Sequence, residues 1–145
     1  MEISHQIEIF QREHRDLVQE LHHLDRDITL LLSEEPDLAR AQWVLDQLHG
    51  LLQERLLPHC AREKHALSLI LKEVGFDARM IRELLFEDSS LRRECERLQR
   101  VLSQGSVAPK DFVRLLRMGE RLIARVLRHI RSEEQVFSPF VGGGR

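Results

Sequence analysis

Six residues able to ligate a metal ion stand where the chain's hydrophobic pattern calls for apolar side chains: His14, His59, Glu63, Asp88, His129 and Glu133. An ionised carboxylate buried without a partner is prohibitively costly, so such groups are paired, protonated or bound to metal. A single stray would be unremarkable, but six need a common cause. Glu63 follows His59 by four residues, and Glu133 follows His129 by four. On a helix that spacing puts imidazole and carboxylate on one face, about one turn apart. Two such faces opposed supply two imidazoles and two carboxylates, and the carboxylates can bridge a pair of metals, as in di-iron and di-manganese bundle cores.

The elements that would hold these residues follow from spacing. Apolar residues recur in alternating steps of three and four along four stretches. The first stripe reads Ile3, Ile7, Phe10, His14, Leu17, Leu21, Leu24, Ile28, Leu31, and the second Leu45, Leu48, Leu52, Leu56, His59, Glu63, Ala66, Ile70. The third reads Ile81, Leu84, Asp88, Leu91, Cys95, Leu98, Leu102, and the fourth Phe112, Leu115, Gly119, Leu122, Val126, His129, Glu133, Val136, Phe140. Steps averaging near 3.5 are those of amphipathic helices packed almost parallel or antiparallel, and no segment alternates as a strand does. The stretch Ser33 to Asp37 closes the first helix. Gly75 suits a C-terminal cap and Asp77 the next N-cap. Ser103 to Ser106 closes the third helix, and Pro109 opens the fourth. Short connections predict an all-α, antiparallel, up-down-up-down four-helix bundle. Pro58 falls inside the second helix and is expected to bend it.

In this arrangement the six residues share one level. From His14 the chain runs about 18 residues to the first turn and returns about 21 to His59, a difference of about one helical turn. Glu63 and Asp88 flank the second turn almost symmetrically. The chain also repeats: Glu13-His14-Arg15-Asp16-Leu17 is similar to Glu87-Asp88-Ser89-Ser90-Leu91, and the segment His59 to Glu63 to the segment His129 to Glu133. Each half therefore offers one residue from its first helix and a His-x-x-x-Glu pair from its second.

Composition narrows the class. The 145 residues are 42% hydrophobic and 32% charged, with seven Gly and four Pro, which suits one helical domain with one core. The expected domain is 1–141, with a flexible tail over 142–145. A formal net charge of −2 with both signs interspersed argues against nucleic acid as a partner. No apolar run nears the ~20 residues of a membrane span, and no signal segment is visible at the start. Two cysteines make no disulfide framework, so a cytoplasmic setting is expected.

The segments around Glu13-His14-Arg15-Asp16-Leu17, Leu57-Pro58-His59-Cys60-Ala61-Arg62-Glu63 and His129 through Glu133-Glu134, then Phe137 and Pro139, make the chain resemble the hemerythrin-like, or HHE cation-binding, family over about residues 5–140. The resemblance implies a non-haem centre of two iron ions, with or without an oxo or hydroxo bridge. It makes His14, His59 and His129 terminal ligands and Glu63 and Glu133 bridging ones. The family usually has a histidine in the third helix, where this chain has Asp88, expected to substitute as a ligand. Three imidazoles and three carboxylates form a harder donor set than the family's, which leaves manganese open. The function so implied is a non-catalytic metal-binding protein that binds or senses dioxygen, nitric oxide, a peroxide or another small oxidant. The alternatives are a di-iron peroxidase or oxidase and a helical interaction module without metal.

Blander readings stand beside these. Asp88 can pair with a nearby Arg such as Arg92. Cys95, inward but ~10 Å further along the axis, reads as core filler, and Cys60 as packing. His5, His22, His23, His49 and His65 read as solvated, and Glu134 as a surface residue or a support to a ligand. Gly50 and Gly119 cost ~1 kcal/mol each relative to Ala and suit close helix approach.

Overall fold

The computed structural model describes residues 2–34, 37–74, 78–105 and 107–138, without the side chains of 2, 3, 73, 74 and 78. Among the described residues every regular element is helical and there is no strand. Four rods follow one another. Helix α1 spans Glu2–Ser33. The second rod is α2, Leu38–Leu51, continued through a π-helical segment, Leu52–Leu56, into α3, Leu57–Val74. Helix α4 spans Ala78–Leu102, and a short 3₁₀ turn, Pro109–Asp111, leads into α5, Phe112–Phe137.

The ends obey local chemistry. Asp37 caps α2, its side chain accepting from the Arg40 amide at 3.1 Å. After α4 the chain turns at Gly105, whose φ of 97° lies where side chains are strained. Pro109 starts the 3₁₀ turn, where a missing N–H is no loss. Ile3's side chain, Pro36, Gly75, Asp77, Ser106, Pro139, Phe140 and the tail lie outside what is described.

The second rod widens one turn before Pro58. The Leu57 amide donates to the Leu52 carbonyl, five residues back. Proline has no amide to donate four residues back, and its ring would press on the carbonyl there. A wide turn just before it absorbs both problems while the rod continues.

Among the described residues every stripe position is buried except Leu31, which is half-buried, and flanking residues such as Val44, Leu67, Ile123 and Phe137 are buried with them. They pack into two apolar clusters. The larger includes Leu17, Leu21, Ile28, Leu48, Leu91, Cys95, Leu122 and Val126, and the smaller Ile7, Phe10, Leu67, Ile70, Ile81 and Phe137. Along every rod the polar residues fall between the two. Close approach is real at Gly119, where an added Cβ would meet Leu48 Cδ2 at 2.9 Å. At Gly50 nothing lies within 4 Å, so helix approach does not account for that glycine. No helix among the described residues is long and apolar enough to cross a membrane.

Candidate metal centre

Each rod delivers its polar residue because the helical step that buries leucines on either side buries it too. His14 lies between Phe10 and Leu17 on α1, Asp88 between Leu84 and Leu91 on α4. The His-x-x-x-Glu pairs come from α3 and α5. All six residues are at most 4% exposed. Their side-chain atoms form two groups sharing one member: His14, His59 and Glu63, and then Glu63, Asp88, His129 and Glu133, with ligand atoms in each group within 4.8 Å of one another.

The first group is a tight triangle. His14 Nε2 lies 2.8 Å from Glu63 Oε2 and 3.1 Å from His59 Nε2, which is itself 2.8 Å from the same oxygen. Donor atoms ~2.1 Å from one cation, at right angles to each other, stand ~3 Å apart, so the triangle has the edges of a coordination polyhedron. The second group is looser. His129 Nε2 is 3.3 Å from Glu133 Oε2, 3.7 Å from Asp88 Oδ1 and 3.9 Å from Glu63 Oε1. Both central carboxylates straddle the groups: Glu63 offers Oε2 to the first and Oε1 to His129, while Glu133 Oε1 lies 3.6 Å from His14 Nε2.

Fit to a cation is tested by the atoms left over. Both oxygens of Asp88, both of Glu133 and His129 Nε2 are buried with no hydrogen-bond partner among the described residues. Each such atom costs ~1–3 kcal/mol, and more if charged, unless something satisfies it. Five converging orphans, four of them carboxylate oxygens, are what one hard cation would satisfy together. The donor set of imidazole and carboxylate suits iron or manganese.

Behind the cluster stands a ring of carboxylates. Each histidine turns Nε2 inward and presents Nδ1 to an acid on a neighbouring helix: His14 to Glu134 at 2.7 Å, His59 to Glu13 at 3.2 Å, and His129 to Glu87. Gln11 also reaches Glu134, and Arg62 holds Glu13 from outside. This arrangement fixes the ring orientation and raises the basicity of the inward nitrogen. Glu13 and Glu87 precede His14 and Asp88 in the internal repeat, which was the available signal for their role.

Electrostatics agree with the geometry. Burial alone pulls His14 toward its neutral form, but hydrogen bonds and charge from Glu134 and Glu63 outweigh it and push its pKa up to about 9. His129 is also raised: burial lowers it, but the Asp88 and Glu87 carboxylates and the Glu63 charge prevail. Glu63 is pulled up by burial and down, more strongly, by His14 and His59, to about 2.

The rival candidates stay outside. Cys95 is fully buried in the larger apolar cluster, and burial first, then Glu94, pushes its thiol up to about 12. Cys60 packs into the same cluster, its thiol held well above the usual range by burial and then by Asp88 and Glu63. Arg92 pairs with Glu96, not with Asp88. His5, His22, His23 and His65 are exposed as expected, but His49 is half-buried and its Nε2 has no partner among the described residues. Phe10 meets His59 edge-on at 5.6 Å, and Phe137 stacks on His14 at 6.2 Å, closing the layer toward the smaller cluster.

Residues 5–141 match the family model described as hemerythrin HHE cation binding domain. Comparison with curated proteins and with solved structures gives no match.

Proposed function

The chain belongs to the hemerythrin HHE cation-binding family, and from that premise we propose that its buried layer holds two metal ions, iron first and manganese second, to bind or sense a small oxidant such as dioxygen or nitric oxide. The observation that carries this reading is the pair of buried ligand groups joined through Glu63. His14 and His59 serve one ion, Asp88 and His129 the other, and Glu63 and Glu133 lie between. Two iron ions supply reversible electron exchange and an open coordination position for a diatomic.

The protein's own residues do the rest. Glu13, Glu87 and Glu134 hold each imidazole with its inward nitrogen free for a cation. Phe10, Phe137 and the leucines above and below exclude water. Asp88 fills the place of the family's usual histidine and adds a negative charge, which favours the more oxidised metal. A metal-free interaction module would leave the orphaned oxygens of Asp88 and Glu133 uncompensated, which weighs against that alternative.

The reading includes a direction for each rod. Asp27 pairs with Arg40, Glu20 with Arg55 and Glu13 with Arg62, so numbers fall along α1 as they rise along the second rod. Glu94 with Arg125 and Glu87 with His129 relate α4 and α5 in the same sense. These ladders support an antiparallel up-down-up-down bundle over one domain, residues 1–141. Two free buried cysteines suit a reducing, cytoplasmic setting.

Metal stoichiometry is the test. Elemental analysis of freshly purified protein should give two ions per chain, about one in Asp88→Ala, and almost none in Glu63→Ala. Full metal content in Glu63→Ala, or none in the wild type after anaerobic loading with ferrous iron, refutes the site.

A further inference from the structure

The net charge of −2 conceals a division. Residues 1–77 carry eight Lys and Arg against fifteen Asp and Glu, a net of −7, whereas residues 78–145 carry fourteen against nine, a net of +5. The division is spatial too, since the first set builds α1 to α3 and the second α4 and α5. On α4 and α5, four arginines have acidic partners: Arg79, Arg92, Arg114 and Arg125. Eight others, Arg82, Arg93, Arg97, Arg100, Arg117, Arg121, Arg128 and Arg131, are exposed and make no ion pair among the described residues.

These arginines form a surface with shape. Arg97 and Arg121 flank a groove of about 170 Å³ between α4 and α5, floored by Leu98, Met118 and Leu122. Phe86, 75% exposed, lies four residues after Arg82 and seven before Arg93 on the same face of α4. Arginines around an apolar floor, with an exposed aromatic further along the same face of α4, are the composition of a protein contact rather than of a merely solvated face.

The opposite side of the molecule carries the complement. Between α1 and α2 runs a groove of about 470 Å³ bordered by Glu20, Asp27, Asp46 and Glu54, with Trp43 at its edge, 52% exposed. Asp46 and Glu54 are exposed and have no basic partner among the described residues. A guanidinium entering this groove meets carboxylates it can grip and an indole face it can stack on. A nucleic acid would find the arginines but also a −7 half behind them and interspersed Glu83, Glu94, Glu96 and Glu120.

We propose that the arginine face of α4 and α5 docks on the acidic Trp43 groove of a second copy of this chain. Arg97 and Arg121 enter the groove and face Asp46 and Glu54, and Trp43 covers one guanidinium. The contact joins two different patches on opposite sides of the molecule, so each molecule has one donor and one acceptor face, and association runs head to tail, into a closed ring or an open chain. It is independent of the metal reading, because none of these residues touches the buried layer.

Sedimentation velocity of the metal-loaded full chain tests it, at about 0.1 M and about 1 M salt, where the screening length falls from ~10 to ~3 Å. The expected result is association at the lower salt and monomer at the higher. Two double variants, Arg97→Glu with Arg121→Glu, and Asp46→Arg with Glu54→Arg, should each be monomeric at both salts with helix content and metal content unchanged. Mixed together they should associate again, because one retains the acidic groove and the other the arginine face. A wild type monomeric at about 0.1 M salt throughout its soluble range overturns the proposal, as does association that survives either reversal or a mixture that stays monomeric. A monomeric wild type that instead binds duplex DNA or anionic phospholipid vesicles through Arg97 and Arg121 assigns the face to a polyanion.

Discussion

On the α1–α3 side of the polar layer, His14 Nε2, His59 Nε2 and Glu63 Oε2 lie 2.8 to 3.1 Å apart, each within hydrogen-bond reach of the others. On the α4–α5 side, His129 Nε2 faces Glu133 at 3.3 Å and Asp88 at 3.7 Å, and none of the three groups is hydrogen-bonded at its inward atoms. Both sides descend from the same repeated pattern. They differ because the first helix of the first half offers an imidazole, which can donate protons to the surrounding carboxylates, while α4 offers Asp88, which only accepts when ionised. Protons can hold the first half together, whereas the second half requires a cation.

Metal removal should therefore act unequally. Stripping the protein with a chelator should lower its melting temperature by about 10 °C, since a ligand at ~100 times its dissociation constant stabilises by ~2.7 kcal/mol and each kcal/mol moves a domain of this size by roughly 2–8 °C. Amide exchange should locate the loss. Protection should fall most around Asp88 and Glu133, and least around His14 and His59. Equal loss in both halves, or none, contradicts the idea that the halves differ in what satisfies them.

That asymmetry was only half legible in the sequence. The stripes fixed which residues point inward, because burying Leu17 and Leu21 leaves His14 no other direction, and the same step places Asp88. The level of the layer followed from counting residues to each turn. What spacing could not give was most of the outer ring: Glu134 was open to a supporting role, but Glu13 and Glu87 stood in the repeat with no role assigned, since an Nδ1 partner lies across a helix interface and sequence distance says nothing of it. The π-helical segment was hidden for a similar reason. Pro58 announces a missing hydrogen bond, but whether a rod bends or widens depends on what packs against it. His49 read as solvated because it lies off the stripe, yet its Nε2 is buried.

Loaded and stripped protein should also part company with pH. In the metal-stripped protein, His14 is raised from its ordinary value of 6.5 to about 9 and His129 is raised as well, while Glu63 is lowered from 4.5 to about 2. A raised histidine stabilises the fold fully below its unfolded value and loses that contribution as pH climbs through the folded one. A lowered carboxylate does the reverse on the acid side. The stripped protein should thus be most stable between about pH 4.5 and 6.5 and weaken toward pH 9. Metal competes with the same protons, because imidazole must be neutral to ligate, so loading tightens over that interval. The difference in melting temperature between loaded and stripped protein should widen from pH 6.5 to 9, and thermal scans in which it narrows would contradict the assignment of His14 to a proton-held half.

The smallest expected effect probes the outer ring where the repeat is broken. Position 134 follows Glu133 as position 64 follows Glu63, yet one holds Glu and the other Lys. Glu134 accepts from His14 Nδ1, the first-helix histidine of the other half. The corresponding residue opposite Lys64 is Asp88, which has no ring nitrogen to orient, so an acid at position 64 would have nothing to hold and would add repulsion near a carboxylate. Glu134→Gln should then weaken metal binding about 10-fold, the usual effect of losing such a support, while Lys64→Gln should leave it within about 2-fold, well below a 1.4 kcal/mol change. In an Asp88→His background the ranking should alter: Lys64→Glu would now find an imidazole to orient and should tighten binding relative to Asp88→His alone. Competition against a chromophoric chelator reads all four variants on one scale. Equal losses from Glu134→Gln and Lys64→Gln would mean that the outer ring acts through general charge, and not through hydrogen bonds to particular rings.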